Sequence, residues 1–279
     1  MRILICILGL VLLCGCREVS VQNATQVSAV DPDAVPALVT DMFLRTDETM
    51  QLYLQDAGTY DLDSAIRSAA EQHVLARTML RSVTWTRSGD CVTLSAHYAV
   101  SADILRKEKQ MLADSAELWC RESASQPDAV RILLAHDALC RRCTYSEALP
   151  ECHSAYGAWC GQNAVCDGYA EAFALLMETA GIPVRIVTGT AQDGSHPAAP
   201  HAWNLVQLSG VWYHIDCTWD DADGLPQHAY FLCDDTAMSQ THQWDTEKYP
   251  PALGGGYTYD SIVSEMQAKV RGDGCADSG

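Results

Sequence analysis

Two hydrophobic periods alternate along the chain. Val39, Met42 and Phe43 recur at helical spacing, and Ala65 to Met79 is rich in Ala, Leu and Arg, so residues 36–80 read as helical. The period drops to two over Ser82 to Val100. Val83-Thr84-Trp85-Thr86 alternates, Ser88-Gly89-Asp90 turns, and Cys91 to Tyr98 alternates back, which predicts a β-hairpin. Ile104 to Trp119 returns to helix. Another helix starts at Gln126-Pro127-Asp128 and runs through Val130, Ile132 and Leu133 toward Cys140. Tyr145 to Gln162, rich in Gly, Ser and Cys, reads as a loop.

The next helix begins near Cys166 and stops at Gly181, with Pro183 just beyond. Val184 to Thr188 is a β-rich run. His201 to Leu208 and Val211 to Asp216 read as strands joined by Ser209-Gly210, a two-residue hairpin turn. That turn sets a register in which position 201 falls near 218. Asp216 is then a diagonal neighbour of His201 on the same sheet face. Tyr230 to Cys233 adds a strand. An amphipathic helix over Ile262 to Val270 leads into a loose tail, taken as 266–279. No internal repeat is visible.

Composition narrows the classes. The chain has 279 residues, 48% hydrophobic and 19% charged, enough for one large domain or two small ones with a buried core. A formal net charge of −18 and the lack of a basic stripe argue against a nucleic-acid partner.

The first residues read as an export signal. Arg2 is followed by an apolar run, Ile3 to Leu13, that is too short to span a membrane stably. Leu13-Cys14-Gly15-Cys16 resembles a bacterial lipobox, which implies a lipidated Cys16 after removal of residues 1–15. Residues 16–35 are polar and mixed and read as a tether. The expectation is an extracytoplasmic protein held at a bacterial membrane by a lipid anchor. The chain has 13 cysteines. An oxidising compartment permits disulfides among Cys91, Cys120, Cys140, Cys143, Cys152, Cys160, Cys217, Cys233 and Cys275, with a connectivity that spacing leaves open. Cys140, Cys143, Cys152, His153 and Cys160 could offer soft ligands to zinc, but disulfides or free thiols suit an exported chain better.

The chemistry concentrates in three places: Cys166-Asp167-Gly168-Tyr169, His201-Ala202-Trp203-Asn204, and Asp216-Cys217-Thr218-Trp219-Asp220-Asp221. A cysteine in the first turn of a helix faces exposed N–H groups and the positive end of the dipole, an environment that suits a thiolate. An imidazole can take and return the proton, and a carboxylate can hold one tautomer. Taken singly, a core cysteine and a turn-capping aspartate are the commoner explanations. The trio in matched contexts favours a Cys166, His201, Asp216 triad. Tyr156, Gln162 and Trp203 are candidates for the cleft wall or the oxyanion site. Asp220, Asp221 and Asp223 fail the EF-hand template and read as a solvated turn.

These motifs resemble the bacterial transglutaminase-like superfamily, whose core is related to papain-like cysteine proteases. The matching text is Ser154 to Ala158, Ala164 to Phe173, Gly181-Ile182-Pro183, His201 to Asn204, and Trp212 to Asp221, with His136-Asp137, Tyr145 and Tyr230 to Leu232 also in place. The resemblance implies an α+β fold, with the cysteine helix packed on an antiparallel sheet that carries His201 and Asp216. It covers roughly 125–250, within a core taken as 125–265, and leaves 36–124 as an accessory region of helix and hairpin. It also implies acyl transfer or hydrolysis on protein or peptide substrates, as a protease, an amidase or a cross-linking enzyme, with no cofactor. The rival expectation is a catalytically silent module that binds peptide or cell-wall material. Cys217 and Cys233 stand where the family shows aliphatic residues, and are read as packed thiols rather than a cross-strand disulfide.

Overall fold

The structure is a computed structural model that describes residues 3–6, 25–54, 59–71, 73–149, 151–192, 194 and 197–273. The proposed lipidation residue Cys16 and most of the signal segment lie outside them. Among the described residues, no helix is long and apolar enough to cross a membrane. The chain divides into two compact units, Met1–Ala113 and Asp114–Gly279, with the division inside the helix Ala102–Ser123.

The first unit is a five-stranded sheet in the order Ile3–Cys6, Leu80–Ser88, Cys91–Tyr98, Thr49–Leu54, Thr25–Val30. The hairpin at its centre closes over Gly89-Asp90, where Gly89 takes a φ of 60°. Helices Val35–Leu44 and Leu62–Glu71 supply Val39, Phe43, Ile66 and Ala69 to a core shared with Leu52, Val83 and Leu94. Two expectations need correction. Thr49–Leu54 is a strand, although the region read as helical throughout; Met50, Leu52 and Leu54 alternate into the core with period two. Thr25–Val30, read as tether, pairs in parallel with that strand.

The second unit is built on an antiparallel sheet ordered Phe231–Cys233, Val211–Ile215, Ala199–Leu208, Val184–Ala191, His242–Trp244. The hairpin register is the one its turn dictates. Val211 faces Leu208 and Ile215 faces Asn204. Ser209 and Gly210 both have positive φ, 52° and 83°, as a two-residue turn matched to strand twist requires. Residues 202–206 of the central strand are buried on both faces. Trp203 and Leu205 pack with Val187, Met238 and Tyr249. Asn204 projects the other way, and its Nδ2 donates to the carbonyl of Ala170 at 3.0 Å.

Ala170 belongs to the helix Cys166–Ala180, which ends on left-handed Gly181 at a φ of 74°. Helix Asp128–Arg142 packs beside it. Between these helices the sequence reads as loop, but Ala155–Trp159 forms a short helix. Ser154 caps it by accepting from Gly157 N, and buried Glu171 accepts from Ala155 N at 3.1 Å. The C-terminal helix runs Tyr259–Asp273, so residues 266–273 are helical rather than a loose tail.

Candidate active site

Cys166 opens its helix as the first helical residue and is partly exposed. Two features press the helix start against the preceding segment. Gly168 comes so close that a Cβ there would lie 2.5 Å from the Cys152 carbonyl oxygen and 2.8 Å from Ala164 Cβ. Asp167 accepts from the ring of exposed His153 at 2.9 Å. His153 is an imidazole that contacts the residue after Cys166, and its sequence context had placed it only in a soft-ligand cluster.

His201 sits near the start of the central strand, its side chain 7% exposed. Its Nε2 lies 2.7 Å from Asp216 Oδ2. The Cys166 side chain lies near enough to the ring to favour its charged form. Burial works against a charged ring. The Asp216 carboxylate and Cys166 overcome it and push the His201 pKa up to about 10.

Asp216 follows the last residue of its strand and is 1% exposed. Its Oδ1 accepts from the N–H groups of Thr218 and Trp219 at 2.9 and 3.1 Å. Its Oδ2 accepts from His201 and also from His242 Nε2, at 3.1 Å. Burial alone would raise its pKa. The two imidazoles reverse that and hold it below the usual carboxylate range. His201, Asp216 and His242 are thus in one connected array.

The remaining predicted residues are placed differently. Trp203 is 1% exposed, and its Nε1 donates to His214 Nδ1 at 2.9 Å. That donor is spent inside the core, so Trp203 does not serve an oxyanion; its indole instead stacks on the His201 ring at 5.9 Å. His214 passes the chain on to Asp235 at 2.9 Å, and burial lowers its pKa despite that partner. Tyr156 is half-buried in the short helix Ala155–Trp159. Gln162 lies exposed in a left-handed turn, φ 55°, with its carbonyl accepting from Thr144 N.

The expected solvated aspartate turn is instead partly buried structure. Asp220 is fully buried, taking His136 Nε2 at 3.1 Å and Tyr230 N at 3.1 Å. Asp221 accepts from the Tyr169 hydroxyl on the helix Cys166–Ala180. His136 Nδ1 faces Asp137 at 3.1 Å, and Asp137 also takes His228 at 2.8 Å. Burial opposes charge on His136, but Asp137 and Asp220 raise its pKa well above the usual histidine range. Among the described residues, two groups bring three ligand-type atoms together: His136, Asp137, His228 and His201, Asp216, His242. In both, each imidazole aims at least one nitrogen at a carboxylate oxygen at hydrogen-bond distance, which is the geometry of ion pairs and proton relays. Cys217 and Cys233 hold free thiols, Cys217 buried and Cys233 partly so.

Residues 119–217 match the model of the transglutaminase-like superfamily, so this part of the chain is similar to a transglutaminase-like domain. A stretch of 65 residues is 34% identical to the human kyphoscoliosis peptidase; it covers 21% of this chain and 10% of that protein, so the chain matches about a tenth of its curated relative's length. The periplasmic domain of TgpA from Pseudomonas aeruginosa, bound to ethylmercury, aligns at 19% identity and a TM-score of 0.32, covering 51% of this chain and 58% of that one. A TGase structure aligns at 13% identity and a TM-score of 0.31, covering 66% of this chain and 54% of that one.

Proposed function

We propose that this protein is a cysteine enzyme acting on peptide or amide bonds, with Cys166 as nucleophile, His201 as acid–base and Asp216 as orienting acid. One observation carries the reading: a single imidazole is hydrogen-bonded to a buried carboxylate and lies under the influence of a partly exposed sulfur at a helix start.

In the first half-reaction the Cys166 sulfur attacks the substrate carbonyl carbon and forms a C–S bond. The C–N bond breaks, and His201 delivers its proton to the departing amine. The N–H groups of the first helical turn have no partner within the helix, and Cys166 N–H is suited to take the developing oxyanion. In the second half-reaction, water or an amine attacks the thioester while His201 removes its proton. The Cys166 thiol is regenerated, and the product is an acid or a new amide. We take hydrolysis as the main outcome and protein or peptide as the substrate class. The lipid anchor read at Cys16 would set this chemistry at an extracytoplasmic membrane surface, and removal of residues 1–15 would take the edge strand Ile3–Cys6 from the first unit's sheet.

Mass spectrometry of the protein mixed with a peptide library tests this. The expected result is an acyl adduct on Cys166, absent in Cys166→Ala. No adduct, with wild type and variant binding peptides equally, would support the silent binding module instead.

A further inference from the structure

His242 lies 26 residues beyond Asp216, in the edge strand His242–Trp244, and no motif marks it. Folding brings it to the centre of the site. The strand pairs with Val184–Ala191, setting His242 opposite Ala191. The ring is 1% exposed, and its Nε2 reaches the same Asp216 oxygen that holds His201. The Thr241 hydroxyl meets His242 Nδ1 at 2.8 Å. With that hydroxyl donating, the neutral ring carries its proton on Nε2 and gives it to Asp216.

One carboxylate oxygen therefore serves two imidazoles. We propose that His242 is a positioning residue for the triad: its Nε2–H fixes the Asp216 carboxylate and takes a share of the negative charge that Asp216 offers to His201. This deepens the proposed cysteine chemistry and rests on it. Asp216 has four donors, two on each oxygen. Without His242, Oδ2 would concentrate its charge on His201, which would then release its proton less readily. A ring that clings to its proton is a poorer acid toward the leaving amine and a poorer base toward water.

A packing role is the competing account. Trp203, Trp219 and Tyr230 surround the His242 ring at centroid distances of 4.9, 4.6 and 5.5 Å. Two substitutions separate the roles. His242→Phe keeps a ring and loses the donor; His242→Gln loses the ring and keeps an N–H. The titratable groups bearing on His201 are Asp216, Cys166 and His242. The measurement is accordingly made in a Cys166→Ala background, where no sulfur contributes and no turnover is needed.

The His201 ring is titrated by NMR with nitrogen-15 histidine. Phe at 242 is expected to tighten proton binding by His201 about tenfold, the scale of one charge-assisted hydrogen bond, and Gln to leave it within about threefold of the parent. Thr241→Val, which leaves the His242 ring in place, should move the midpoint in the same direction as Phe, by less. An unmoved midpoint in His242→Phe, or an equal shift in His242→Gln, would overturn the role. If His242→Phe does not fold, Thr241→Val decides: no shift there overturns it too. Because this titration needs no acyl transfer, its outcome is independent of whether Cys166 forms adducts.

Discussion

Asn204 and Ala170 are joined by one hydrogen bond, 3.0 Å from the amide Nδ2 to the main-chain oxygen, and it ties the strand of His201 to the helix of Cys166. Both partners are buried. Asn204→Ala should destabilise the fold by about 1–2 kcal/mol, and Asn204→Asp by more, since it places an acceptor against an acceptor. Denaturant unfolding measures the loss. Alkylation of Cys166 by iodoacetamide, followed by peptide mass, should slow in both variants as the helix loosens from the strand; unchanged alkylation would show that other contacts hold the two elements in register.

Gly168 gives a second handle on the same helix. Its α-carbon leaves no room for a methyl between Cys152 and Ala164. Gly168→Ala should cost about 1–3 kcal/mol through overpacking and displace the helix start. Gly181→Ala is the contrast: its φ is +74° with open space around it, so strain falls at the far end of the helix. Both variants should melt earlier, but only Gly168→Ala should lose most of the Cys166 reactivity.

Stability should depend on pH through the His201–Asp216 pair. His201 binds its proton more tightly folded than unfolded, so its contribution is complete below the ordinary value of 6.5 and is lost as pH rises through about 10. Asp216 is held below its ordinary 3.8; its contribution stands above that value and is lost as pH falls below it. Urea midpoints should decline on the alkaline side between these His201 limits, and His201→Gln should flatten that decline. An equally steep decline in the variant would place its source in another group.

His136 holds the buried Asp220 charge. His136→Ala would leave that carboxylate with only the Tyr230 N–H. The expected loss is about 3–5 kcal/mol, the scale of a buried pair stripped of one member. Calorimetry checks it, and a loss below about 1 kcal/mol would mean Asp220 is satisfied without the ring.

The parts legible in the sequence are those fixed locally. The Gly181 stop, the Ser209-Gly210 turn and the strand parity that puts His201 beside Asp216 depend on a few neighbouring residues. The failures are non-local. Thr49–Leu54 is too short to separate strand from helix by period without knowing that Cys91–Tyr98 lies alongside. The Trp203 indole looked available until His214 was placed against it. Asp220 looked solvated because its partner, His136, lies 84 residues earlier. His242 carries no local signal, since an edge strand of three residues brings it to Asp216.

The tight turn at Ser209-Gly210 also constrains how such a chain can diverge. Every residue between the bend and the reactive ring sets which side of the ribbon that ring occupies. One added or deleted amino acid within Ala199–Leu208 would turn position 201 toward the opposite surface and strand the carboxylate across from it. Descendants could lengthen or shorten this arm only in even steps, while the bend's outer tip remains open to substitution.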